Sequence, residues 1–151
     1  MVQHNTALLV SAADDDYRLL GDVFSHQGWT LYRTVTLDAA VEFLRANPVP
    51  VVITDQDLPL SNWKDLGRAM LQLPRTPLLL VASRLADERL WAEVLNLGGH
   101  DVLCKPFQTN EVLWVLHGAW EVAERTERAM QAKGILGAMT SARGRRPEDQ
   151  Q

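Results

Sequence analysis

Short aliphatic runs return five times along the chain, each followed by a segment of helical period, and a parallel sheet covered by helices on both faces meets that pattern. The runs are Ala7 to Val10, Thr30 to Val35, Val51 to Thr54, Leu78 to Ala82 and Asp101 to Cys104. The first, third and fourth read as strands buried on both sides, while the alternating LYRTV of the second suits a sheet edge. Between them, Leu37, Ala40, Val41 and Leu44 fall at i, i+3, i+4 and i+7, and Val112, Val115, Leu116, Ala119, Val122 and Ala123 extend the same spacing over three turns. Looser stripes run through Leu19 to Phe24, Leu66 to Leu73 and Leu90 to Leu97. Thr36, Asp87 and Thr109 stand where N-caps are useful, and Gly28, Asn47-Pro48, Pro74 and Gly98-Gly99 stand where a chain must leave a helix. The order reads βα five times over.

At 151 residues the chain has room for one domain of usual size. A net charge of -4 makes its fold a poor match for a polyanion, so nucleic acid is not an expected partner. Cys104 is the single cysteine, and the start MVQHNTALLV lacks the basic and apolar regions of a secretory signal, so a reducing, cytoplasmic setting is expected. No run approaches the roughly 18 consecutive apolar residues of a membrane span. Glu121, Glu124, Arg125 and Arg128 pair at i, i+4 on a solvated helix face, which carries the last helix to about Lys133 with Gly134 as its stop. The expected division is a domain over 1–123, a helical extension and short apolar segment over 124–139, and a disordered tail over 140–151. Arg143, Arg145 and Arg146 in that tail could touch nucleic acid or an acidic partner, but beside Glu148 and Asp149 they give only a weak signal for it.

In an open parallel sheet, ligands bind at the carboxyl ends of the strands where the chain order reverses. That rule picks out Ser11 and Ala12, Asp55, Ala82 and Ser83, and Lys105. A carboxylate there can ligate a hard cation or act as a nucleophile, and a lysine opposite it can hold phosphoryl oxygens. The strand VVITD followed by QDLP, with LCKPF at 103–107 and the strand TPLLLVAS, resembles the receiver domain of two-component response regulators from Ala7 to about Ala123. The resemblance implies a flavodoxin-like (βα)5 three-layer sandwich with a five-stranded parallel sheet in the order 2-1-3-4-5, and a cis Lys105–Pro106 peptide. It implies Asp55 as the phosphoacceptor, Lys105 as its phosphate-binding partner, a histidine kinase or phosphotransfer protein as donor, and no enzymatic output.

Four positions depart from the family. Ser11 and Ala12 stand where receivers place the acidic pair that binds Mg²⁺, so Mg²⁺ binding is expected to be weak. Ala82 replaces the hydroxyl residue at the end of the fourth strand, and Val102 replaces the aromatic switch on the fifth. Ser83 offers a hydroxyl one residue away, but strand alternation turns it to the other face. Asp14 and Asp57 are candidate substitute metal ligands beside Asp55, although a first-turn acid such as Asp14 is also explained by the helix dipole. Two functions of different class follow: a phosphoacceptor despite the altered site, or a pseudo-receiver that works as a phosphorylation-independent interaction module. Trp91, Trp114 and Trp120 lie on the fourth and fifth helices, which receivers use for homodimer or partner contacts. Trp63 could cover the site or pack on the third helix, and Cys104 reads as a small core side chain. His4, His26, His100 and His117 have no companions at metal-ligand spacing.

Overall fold

The computed structural model describes residues 5–144. His4, Arg145, Arg146 and the last residues of the expected tail lie outside that range. The elements are β1 (Thr6–Val10), α1 (Asp14–Gln27), β2 (Thr30–Thr34), α2 (Leu37–Ala46), β3 (Val51–Asp55), β4 (Asp57–Leu58), β5 (Ser61–Asn62), α3 (Trp63–Met70), β6 (Leu78–Ser83), α4 (Glu88–Asn96), β7 (Asp101–Cys104) and α5 (Thr109–Gly144). The main sheet runs β2-β1-β3-β6-β7, all parallel, which is the expected 2-1-3-4-5 order once the β4–β5 hairpin is set aside. The Lys105–Pro106 peptide is cis. No helix among the described residues is long and apolar enough to cross a membrane.

Strand alternation divides the core into two layers. Leu8, Val10, Val52 and Val81 meet Ala40, Leu44, Leu66, Met70 and Val94 of α2, α3 and α4. Leu9, Ile53, Leu80 and Leu103 meet Leu20, Phe24 and Leu116 of α1 and α5 on the opposite face. β1 and β3 sit between neighbours and are apolar on both faces, whereas the edge strand β2 is half exposed, as its alternation requires.

Local chemistry sets the helix ends. Thr36 and Asp87 accept from the backbone N–H of Ala39 and Leu90, and Asn62 accepts from Lys64 and Asp65 at the start of α3. Thr109 is instead the first helical residue of α5. Gly28 closes α1 at φ 71°, a left-handed conformation that costs a residue with a Cβ. The expected helix stop at Gly134 does not occur: α5 continues through Gly134 and Gly137 to Gly144, so the segment expected to be disordered from Thr140 is helical as far as Gly144. A helical glycine costs about 1 kcal/mol relative to alanine, but it ends a helix only where a left-handed turn is adopted, and neither glycine adopts one. The Glu121–Arg125 and Glu124–Arg128 pairs form along this segment, and Arg75 ties it to the loop after α3 through Glu127 at 2.6 Å.

The hairpin between Asp55 and α3 turns on Leu60, which stands fully exposed at φ 60°. A leucine gains nothing there to offset the left-handed strain. Leu60→Asn is expected to raise stability by about 1 kcal/mol, read as a higher urea midpoint with an unchanged slope.

Candidate functional site

Ser11, Asp55, Ala82 and Lys105 continue the alternation of Leu9, Ile53, Leu80 and Leu103, so they rise from the α1/α5 face at the carboxyl ends of β1, β3, β6 and β7. Backbone pairing reaches one residue past β1, β3 and β7: Ser11 N–H donates to the Thr34 carbonyl, Gln56 N–H to that of Ala82 and Lys105 N–H to that of Ser83. The loops are thereby held in sheet register where the side chains converge. Asp55 lies directly beside Ala82 in that register.

Both carboxylate oxygens of Asp55 are engaged by the chain itself. Lys105 Nζ donates to Oδ1 at 2.5 Å, and Ser11 Oγ donates to Oδ2 at 2.5 Å. The Ser11 hydroxyl also accepts from the N–H of Ala13 at 3.0 Å, which fixes its rotor. The Lys105 ammonium makes a second ion pair, with Asp16 Oδ2. Lys105, Asp16 and Asp55 side chains are 12%, 12% and 14% exposed, so this triad of one cation and two carboxylates is largely withdrawn from water. Burial works to lower the Lys105 pKa, but the hydrogen bonds and charges of Asp16 and Asp55 outweigh it and hold the ammonium above the ordinary lysine value.

Asp16 is the first-turn acid of α1 that reaches Lys105, whereas Asp14, a candidate metal ligand by sequence, does not come to Asp55. Asp14 is turned outward to the Arg33 guanidinium at 2.7 Å with its side chain 83% exposed, and Arg33 is pinned by a bond from Nε to the Ser11 carbonyl. Helix geometry decides between them: Asp16, Leu20 and Phe24 are the buried residues of α1 at i, i+4 and i+8, and Asp14 lies two residues round the helix from that stripe. A carboxylate heading an apolar stripe is the sequence signal for this position. Asp57 is also not brought to the triad; it is exposed in the β4–β5 hairpin, opposite Asn62.

Ser83 faces away from Asp55, as alternation requires, and donates to Gln56 Oε1 at 2.7 Å. Val102 packs with the α4 side of the core. Trp63 is buried at the head of α3, and its backbone N–H donates to the Gln56 carbonyl. Trp91 and Trp114 are 49% and 82% exposed on α4 and α5. Trp120 corrects the expectation of a contact surface: it is buried against Phe24 and Trp29 with Nε1–H donating to the Thr6 carbonyl at 2.9 Å. Cys104 corrects the expectation of a core thiol, because β7 is the sheet edge and leaves it exposed. A cavity of about 850 Å³ opens between α3 and α4, lined by Trp63, Leu71 and Arg89, and takes in none of the triad.

The donor set does not fit Mg²⁺. The ion requires several oxygen ligands in octahedral array, yet the position between Asp16 and Asp55 holds an ammonium, which is donor-only and positive, and Ser11 directs its proton at Asp55. A cation there would have to displace Lys105 from both carboxylates. Among the described residues no three His, Cys, Asp or Glu side chains gather as a metal site.

No family model matches the chain. It is 38% identical over 77 residues to the transcriptional regulatory protein CutR of Streptomyces coelicolor, a stretch that covers 50% of this chain and 35% of CutR. It thus spans about a third of the length of that relative. Among solved structures, the receiver domain of an HD domain-containing protein from Pseudomonas fluorescens matches at a TM-score of 0.72 and 25% identity, over 82% of this chain and 99% of that one. A putative response regulator from Chloroflexus aurantiacus matches at 0.73 and 22% identity, over 79% of this chain and 99% of that one.

Proposed function

Given that this chain is a receiver domain of the response-regulator kind, we propose that it serves two-component signalling as a pseudo-receiver, making protein contacts that do not depend on phosphorylation of Asp55. The observation that carries this reading is that each oxygen of Asp55 is already bound, one by Lys105 and one by Ser11, and that Ser11 stands where the family places one of its acidic metal ligands. A carboxylate that accepts two bonds at 2.5 Å has its electron density drawn toward those donors, and the missing acidic pair leaves no ligands for a metal ion that would share with Lys105 the charge of an incoming phosphoryl group. Ala82 adds no hydroxyl to hold such a group. On this reading the domain works without Mg²⁺ and without an enzymatic output, because the acid and the ammonium beside Asp55 are spent on one another in the ion-paired triad.

Its partners are the kinase or phosphotransfer proteins and regulators of such a pathway, or a second copy, met at the α4–β7–α5 face in the cytoplasm. Trp91 and Trp114 are the anchors on that face, as large exposed aromatic side chains suited to interface hot spots. A second reading, that Asp55 does accept a phosphoryl group, is favoured by one observation: the acceptor carboxylate and its lysine meet at 2.5 Å.

Intact-mass spectrometry after incubation with acetyl phosphate and Mg²⁺ separates the two. The unmutated protein is expected to show no phosphoryl increment and to be indistinguishable from Asp55→Asn. An increment lost in Asp55→Asn would make the second reading the correct one.

A further inference from the structure

We propose that Asp16 holds the acceptor site shut by occupying Lys105. The inference rests on the pseudo-receiver reading and names the side chain that enforces it. Three adjacent acids open α1, and only one of them is buried: Asp14 pairs with Arg33 and Asp15 with Arg18 at the surface, at 2.7 and 3.0 Å. Either of those satisfies the helix dipole at no desolvation cost. Asp16 gives up water to reach Lys105, so its position is accounted for by the ammonium rather than by the helix start.

The consequence for an incoming anion follows from charge and space. A phosphoryl group bound at Asp55 needs oxygen contacts with Lys105, and the Asp16 carboxylate already holds that ammonium from the α1 side. An approaching phosphoryl oxygen meets a like charge at contact distance, and two carboxylates already share the single ammonium. Asp16 also keeps the Lys105 ammonium between the two acids, so it is a positioning residue for Asp55 as well as a competitor for the phosphoryl group. Asp16 therefore acts in addition to the lost acidic pair, and restoring that pair alone leaves the site closed.

In an open site an Asp55 oxygen forms a bond to the phosphorus of acetyl phosphate as the bond from phosphorus to the acetate oxygen breaks, and acetate leaves with the electron pair. Labelling is read by intact mass, with Mg²⁺ present, in the unmutated protein, Asp16→Ala, Ser11→Asp/Ala12→Asp, and Ser11→Asp/Ala12→Asp/Asp16→Ala, each with an Asp55→Asn control. Asp16→Asn, which keeps the volume, replaces the alanine variant if the thermal melt of the latter is not cooperative. The expected result is at least about tenfold more Asp55-dependent labelling in the triple variant than in the double, because a like charge in contact with the reacting pair is gone. Equal labelling of the double and triple variants, whether high or absent, would overturn the role of Asp16 and leave the pseudo-receiver reading intact provided the unmutated protein stays unlabelled. Labelling of the unmutated protein would overturn that reading instead; a further tenfold rise in Asp16→Ala would still uphold Asp16 as the restraint, and no rise would remove it.

Discussion

Lys105→Met is expected to destabilise the fold by about 3–5 kcal/mol, because it leaves two largely buried carboxylates, Asp16 and Asp55, facing each other with no cation between them. The loss is read from urea unfolding followed by tryptophan fluorescence. Most of that cost belongs to the abandoned charges rather than to the bonds themselves. Adding Asp16→Asn and Asp55→Asn to Lys105→Met is therefore expected to recover most of the stability, and failure of the triple variant to recover would show that packing, not charge, set the loss. The same triad fixes a pH dependence. The folded-state pKa of Lys105 lies above the ordinary value of 10.5, so its contribution is fully present below about pH 10.5 and is lost as the pH rises through the higher folded value. The unmutated protein should lose stability over that alkaline range, and Lys105→Met should lack this part of the slope.

Phe24→Ala is expected to cost about 3–5 kcal/mol at the other end of the same helix face. Phe24 is 1% exposed and meets Trp29 and Trp120 edge to face, with ring centroids 5.5 and 6.1 Å apart. Trp29 and Trp120 meet each other at 4.7 Å, and Trp120 reaches the backbone of β1 at Thr6. This aromatic group fastens α1 and α5 to the amino end of the first strand. Truncating Phe24 removes apolar contact from both helices at once, so the unfolding midpoint should fall and the tryptophan emission of the folded protein should move to the red. An unchanged midpoint would mean that Trp29 and Trp120 close the gap unaided.

The sheet could be read from the chain because its strands are short aliphatic runs punctuated by glycine and proline, and the rule for strand ends then leads to Asp55 and Lys105. What escaped that reading has physical causes. The hairpin at 57–62 has strands of two residues, too short to carry a period. Asp16 is masked by its two acidic neighbours, which have the ordinary reason for opening a helix, and its place above Leu20 and Phe24 becomes telling only once the buried face of α1 is known. Trp120 and Trp114 lie six residues apart on one helix, where spacing alone does not say which one the first helix covers; the structure buries Trp120 and leaves Trp114 in water. Gly134 has the residue type of a helix stop but not the left-handed backbone that makes one.

The uninterrupted course of α5 has a mechanical consequence. At 1.5 Å per residue, the part beyond Ala123 extends about 30 Å. Its first turn is attached to the sheet edge next to the triad, where Glu111 accepts from the N–H of Cys104 at 2.9 Å, one residue before Lys105. The helix is thus one continuous rod with one end seated beside Lys105. A tilt of roughly ten degrees about Ala123 would sweep the Gly144 end through about 5 Å over that length, so a small change in how the helix leaves the domain is enlarged at its far end.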